Sequence, residues 1–295
     1  MTNQDLLQIA EEFGTPVYVY DADSIKSQYE KLTTSFAEST KFFYACKSLT
    51  NINILKYVEK LGANLDCVSI NEVKLGLKAG FSPERILFTP NCVDLAEIEE
   101  AMALNVHINI DNISILEQFG TKYGDSYPVF LRINPHIFAG GNYKISTGHI
   151  DSKFGISIHQ MRHIERVMKS TNLNIEGLHM HTGSEIKDPE VFLQGLEIMF
   201  ELSESFPNLK YIDMGSGFKV PYQKGELETD VKALGKKVEK AVAQFKKETG
   251  KDFELWFEPG KYLVSKSGHF LVKSNVIKQT TATVFVGVNS GFNHL

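Results

Sequence analysis

A set of side chains spread along the chain could act on a small molecule: Lys47, Asp66, Arg132, Asn134, His181, the Gly215-Ser216-Gly217 turn and Glu258. An amine such as Lys47 can condense with a carbonyl group. Buried carboxylates can hold protons or pair with a cation, and an imidazole can do either job near neutral pH. A glycine-rich turn can present backbone N–H groups to an anion. Taken singly, each has an ordinary explanation. A lysine or histidine at the end of a strand is most often a solvated or hydrogen-bonded rim residue, and Gly-Ser-Gly is a common turn. Only their meeting in one place would carry chemistry.

The elements that would bring them together follow from the apolar pattern. Short apolar runs at 41–47, 64–69, 85–90, 106–111, 128–135, 173–182, 209–215 and 253–258 read as strands. Helical periodicity fills the gaps at 52–61, 71–79, 95–104, 114–123, 159–169, 189–206 and 227–249. Strands alternating with helices imply parallel pairing through right-handed crossovers. The leading architecture is therefore a (β/α)8 TIM barrel, spanning residues 24–264, with an open doubly wound sheet as the second choice. Residues 15–20, 268–277 and 280–288 read as β without helices. They imply an incomplete β domain formed from both chain ends, 1–23 and 265–295. No strand is followed by GxGxxG or GxxxxGK[ST], so neither a dinucleotide site nor a P-loop is expected.

Alternation along each strand puts Lys47, Asp66, Arg132, Asn134, His181, Gly215 and Glu258 at carboxyl ends, where barrel enzymes build their sites. Together they match the needs of pyridoxal phosphate: an amine for the Schiff base, a group against the ring, a charge partner for the pyridine nitrogen, and donors for the phosphate. On these residues the chain resembles the barrel-type (alanine-racemase-fold) pyridoxal-phosphate-dependent decarboxylases, and among them the diaminopimelate decarboxylase family, along nearly its whole length.

The resemblance implies roles position by position. Tyr44-Ala-Cys-Lys-Ser48 resembles the cofactor-lysine motif, making Lys47 the Schiff-base residue, with Asp66 an acidic neighbour. His181 in His179-Met-His-Thr-Gly-Ser184 matches the histidine against the ring, and Ser184 a phosphate contact. Gly215, Ser216 and Gly217 match the phosphate loop, whose position after strand 7 agrees with the usual barrel phosphate site. Glu258 in Glu258-Pro-Gly-Lys261 matches the partner of the ring nitrogen, with Gly260 beside the cofactor. Lys47, His181 and Glu258 are thus the expected catalytic residues. Lys261 and, in the loop around Gly148–Gly155, His149 are expected to bind substrate. The implied reaction converts meso-2,6-diaminopimelate to L-lysine and CO2. An ornithine- or arginine-type decarboxylase and a non-catalytic cofactor-binding barrel are the alternatives.

Two positions depart from the family pattern. Lys261 stands where the family commonly has Arg, keeping the charge without the planar fork. Ser216 replaces a usual middle glycine, which backbone donation survives if the position needs no positive φ. The resemblance also implies a longer chain that completes the β domain, with a homodimer whose sites lie at its interface. The present chain is expected to lack that part, with its proton donor and distal substrate contacts, and a form that binds cofactor without turnover is among the expectations.

Composition agrees with a small-molecule protein. The 31 basic and 36 acidic residues leave a net charge of −5, which argues against a nucleic-acid-binding surface. No apolar run approaches the roughly 20 residues of a membrane span, and the first residues do not read as a secretory signal. Three cysteines, Cys46, Cys67 and Cys92, show no CxxC spacing, so neither a disulfide framework nor a metal site is expected and a cytoplasmic location fits.

Overall fold

The computed structural model describes residues 1–137, 148 and 152–294. Thirteen strands and ten α-helices are found among them. Strands β1 (Val17–Tyr20), β2 (Lys41–Ala45), β3 (Asn64–Cys67), β4 (Ile86–Phe88), β5 (His107–Ile110) and β6 (Val129–Asn134) are followed by the two-residue β7 (Ile156–Ser157). Next come β8 (Ile175–Met180), β9 (Tyr211–Asp213), β10 (Glu254–Phe257), β11 (Gly268–Leu271), β12 (Ser274–Gln279) and β13 (Val284–Val288). Contacts group the chain into two compact units, Lys26–Leu263 and Met1–Ile25 with Val264–Leu295.

The larger unit is the expected barrel. Its sheet runs β5-β4-β3-β2-β10-β9-β8-β6 and closes through β5–β6, all pairs parallel. Trp256 pairs with Lys41 to join the last strand to the first. Helices α3 (Ile52–Lys60), α4 (Ile70–Ala79), α5 (Leu95–Ala103), α6 (Ile113–Tyr123), α7 (Met161–Thr171), α8 (Pro189–Ser203) and α9 (Val231–Thr249) make the crossovers. Their boundaries are local chemistry. Asn51, Ser69, Asp94, Asn112, Asp188 and Asp230 accept N-terminal backbone N–H groups of the helices that follow them, the usual N-cap arrangement. The cap at Asp230 is why α9 starts at Val231 rather than at the expected residue 227. Left-handed Gly80, Asn172 and Gly250 close α4, α7 and α9.

The barrel interior changes character along its axis. Its lower layer is aromatic: Phe43, Leu87, Phe130 and Trp256 form a buried cluster with Tyr211 against it. The His107 ring sits 5.5 Å from both Phe130 and Trp256. Gly177 makes room for this layer, because a Cβ there would fall 2.2 Å from the Phe130 ring. One layer up, the same inward faces carry Asp66, Arg132, His179 and Asp213, all buried. Arg132, His179 and Asp213 are register partners on adjacent strands. Apolar packing at one end thus supports a polar layer at the other.

The smaller unit contains α1 (Asn3–Phe13), the antiparallel pair β1–β11 and the antiparallel pair β12–β13. The strand expected at 268–277 is two strands, because the chain changes partner from β1 to β13 at Val272 and Lys273. Val276, Ile277, Val284, Phe285 and Val286 are exposed on the second pair.

Candidate active site

At the carboxyl ends of the barrel strands a cavity of about 390 Å³ is lined by Lys47, Val68, Thr89, Asn91, Arg132, Lys153, Phe154, His179, His181 and Glu258. Lys47 does not lie on the strand. β2 ends at Ala45, and Lys47 sits in a single 3₁₀ turn, Cys46–Ser48. Its Nζ is 2.8 Å from Asp66 Oδ2. Asp66 itself is fully buried on β3, and its other oxygen accepts from Thr89 Oγ1. Enclosure opposes the charge on Lys47, but Asp66 and then Glu258 outweigh it, so the amine titrates above an ordinary lysine. Burial and the charge of Glu258 push the Asp66 carboxyl up.

Glu258, just beyond β10, is 6% exposed. Its backbone N–H donates to Gly215 O at 2.8 Å, which fixes the residue to the neighbouring turn. One carboxylate oxygen, Oε2, is 3.1 Å from His179 Nε2. The other, Oε1, is buried without a hydrogen-bond partner among the described residues. Burial raises the Glu258 carboxyl, opposed by Lys47 and Arg132. Arg132 is buried on β6 and its guanidinium stacks 4.7 Å over the Phe154 ring.

His181 follows β8 and borders the cavity. Burial first, then Arg132 and Lys47, hold it well below the usual imidazole range, so it is neutral at physiological pH. The Gly215-Ser216-Gly217 turn lies against it. A Cβ at Gly215 would fall 2.6 Å from His181 Nδ1, and one at Gly217 would fall 2.1 Å from Gly183 O. Both glycines have positive φ, +59° and +102°; Ser216 is not in that region, so the serine is accommodated. The N–H groups of this turn are engaged: Gly215 N–H donates to Asp213 Oδ1 at 2.8 Å, Ser216 N–H to His181 Nδ1 at 3.3 Å, and Gly217 N–H to Ser216 Oγ. A phosphate could use the last two only after Ser216 Oγ turns away and His181 Nδ1 gives up its weak contact.

Residues 22–265 match the family described as pyridoxal-dependent decarboxylase, pyridoxal binding domain. The chain belongs to that family. The diaminopimelate decarboxylase of Methanothermobacter thermautotrophicus is 32% identical, over 99% of this chain and 70% of the relative. That of Escherichia coli K12 is 31% identical, over 100% and 70%. Among solved structures, diaminopimelate decarboxylase from Helicobacter pylori complexed with L-lysine superposes with a TM-score of 0.87 at 28% identity. That match covers 99% of this chain and 74% of the neighbour.

The residues of this pyridoxal-dependent decarboxylase fit pyridoxal phosphate. The amine at the cavity and the buried Glu258 Oε1, which has no partner among the described residues, are what an aldehyde and a protonated ring nitrogen require. The structure brings Lys47, Asp66, His181 and Glu258 into one place. Gly260 has a packing role, since a Cβ there would fall 2.1 Å from Ser48 Oγ and 3.1 Å from Ala45 Cβ. It lets the segment after β10 lie against the Lys47 turn, where Ala45 N–H donates to Pro259 O. Ser184 is partly buried next to Gly183. Lys261 Nζ pairs with Glu185 Oε1 at 3.2 Å, and the same carboxylate binds Lys219. His149 lies outside the described residues.

Three further groups border the site and have no role in the expected set. Glu185, at φ +64°, shares its charge between two lysines. His179 and Asp213 stand on the same inward faces as His181 and Gly215, where strand alternation puts them without showing that they meet Glu258. The donor atoms of His179, Asp213 and Glu258 all lie within 4.8 Å of one another. Lys47 and Arg132 act on the same cluster. With two cations at hand, the trio suits shared hydrogen bonds and protons rather than an ion.

Proposed function

We propose that this chain is a pyridoxal-phosphate-dependent decarboxylase that converts meso-2,6-diaminopimelate to L-lysine and CO2. The observation that carries the reading is the single cavity shared by the Lys47 amine and the Glu258 carboxylate, whose Oε1 has no partner among the described residues. When bound, pyridoxal phosphate supplies the electron sink for the pair left on Cα as CO2 departs. Every other part of the reaction falls to the chain.

Lys47 is the residue that attaches the cofactor. Its amine must first lose the proton that Asp66 Oδ2, 2.8 Å away, helps to hold on it. Glu258 Oε1 is the oxygen available to the ring nitrogen, where it holds a proton and deepens the sink. His181 is kept neutral and flanks the ring without adding charge. Gly217 offers its N–H to the phosphate once the Ser216 hydroxyl rotates, and Ser216 offers its own once His181 Nδ1 releases it. Lys261 takes a substrate carboxylate in competition with Glu185.

The cofactor domain is residues 24–264, with the terminal strands forming part of a β domain. We further propose a cytoplasmic homodimer. All three cysteines are free thiols, which suits a reducing compartment, and no helix among the described residues is long and apolar enough to cross a membrane. CO2 release from meso-diaminopimelate, L-ornithine and L-arginine tests the substrate. Release from meso-diaminopimelate alone is expected, and preference for either other amino acid overturns the assignment.

A further inference from the structure

The polar layer beneath Lys47 holds more ionisable side chains than the reaction uses, and His179 is the one in direct contact with Glu258. It is 1% exposed on β8, register-paired with Arg132 on one side and Asp213 on the other. Its Nε2 is 3.1 Å from Glu258 Oε2, while its Nδ1 is buried without a partner among the described residues.

Those two facts select a tautomer. A proton on Nε2 gives the carboxylate a donor and leaves only a lone pair buried at Nδ1. A proton on Nδ1 would leave a buried N–H with no acceptor and would set a lone pair against the Glu258 oxygen, the costlier arrangement. The doubly protonated ring is opposed by burial and then by Arg132 and Lys47, against the pull of Asp66 and of the Glu258 carboxylate it touches.

We propose that His179 is a positioning residue for Glu258: its Nε2–H ties down Oε2 and leaves Oε1 as the oxygen presented to the ring nitrogen of the cofactor. The proposal rests on the functional reading above for what Oε1 meets, but not for the hydrogen bond itself. A carboxylate held by one donor keeps its charge more readily in a buried site. Without that donor Glu258 shifts toward its neutral form and turns more freely, so the ring nitrogen loses both its charge partner and its alignment.

Histidine ¹⁵N spectra of the cofactor-free protein test the hydrogen bond, with His179 assigned by the signal lost in His179→Gln. A protonated Nε2 and bare Nδ1, unchanged from mildly acidic to mildly alkaline pH, are expected. A protonated Nδ1, or a ring that titrates in that range, overturns the proposal. Ring-¹⁵N-labelled pyridoxal phosphate then reads the consequence. His179→Leu should weaken cofactor binding about tenfold, the size expected for a hydrogen bond to a charged group, and should reduce ring-nitrogen protonation. His179→Gln, whose amide can still donate, should restore both. Folded His179→Leu protein with unchanged affinity and protonation overturns the proposal. Wild-type protein that fails to bind the cofactor overturns the functional reading instead, and the tautomer still decides whether His179 holds Glu258.

Discussion

Lys47 Nζ stands 2.8 Å from Asp66 Oδ2, across the junction of two neighbouring strands in which Ala45 pairs with Asp66. The carboxylate is fully buried and the lysine side chain is about half exposed at 49%, so the pair spans the boundary between the core and the cavity. Asp66 therefore favours the ammonium form of Lys47.

Removing that charge should make the amine more reactive at neutral pH. Asp66 is the largest influence raising Lys47 against the opposing effect of burial, so Asp66→Asn should move the amine's titration downward. The pH dependence of pyridoxal phosphate addition to Lys47 measures this. An unshifted or upward-shifted profile contradicts the role given to Asp66.

At the turn proposed for the phosphate, a hydroxyl already takes one N–H. Ser216 Oγ occupies the Gly217 N–H, so Ser216→Gly should free that donor. One neutral hydrogen bond corresponds to about a two- to tenfold gain in cofactor affinity. A glycine also adds unfolded-state freedom, costing about 0.5–1 kcal/mol of stability. Titration by absorbance with a parallel thermal melt separates the two effects, and weaker binding in the variant would contradict this account of the turn.

Backbone geometry makes a paired prediction. Gly217→Ala meets both φ +102° and the Gly183 carbonyl at 2.1 Å, whereas Gly225→Ala meets φ +94° in open space. Left-handed strain alone costs roughly 1–2 kcal/mol, so Gly225→Ala should lose about that much and Gly217→Ala clearly more. Equal losses in urea unfolding would show that the contact with Gly183 yields freely.

Much of this was legible in the sequence, for a physical reason. Barrel strands are short apolar runs separated by amphipathic helices, and both periodicities survive in a single chain. The rim residues Lys47, Asp66, His181 and Glu258 were readable because inward positions alternate. Distances between strands were not. That Lys47 lies on a turn rather than a strand, and that the N–H groups at 215–217 already have acceptors, depends on contacts between residues far apart in sequence. The Glu185 charge shared by Lys219 and Lys261 is invisible for the same reason. The break at Val272 and Lys273 follows from a change of strand partner, which local β propensity does not record.

Asp213 should make stability fall as pH rises. Burial and then Glu258 push its carboxyl well above an ordinary aspartate. The folded protein therefore binds a proton that the unfolded chain has already released, and the stabilisation fades as pH climbs from the unfolded value through the folded one. Asp213→Asn keeps an acceptor for Gly215 N–H and removes the ionisation. Its melting temperature should exceed that of wild type by about 2–4 °C per kcal/mol gained at alkaline pH, with the advantage shrinking in acid. A larger advantage in acid contradicts the assignment.

Lys47 is the residue proposed to carry the cofactor. Purified protein incubated with pyridoxal phosphate, reduced with borohydride and digested should yield one pyridoxyl-labelled peptide, the one containing Lys47, and Lys47→Ala should yield none. Label on another lysine, or equal labelling of the Lys47→Ala protein, would contradict the account.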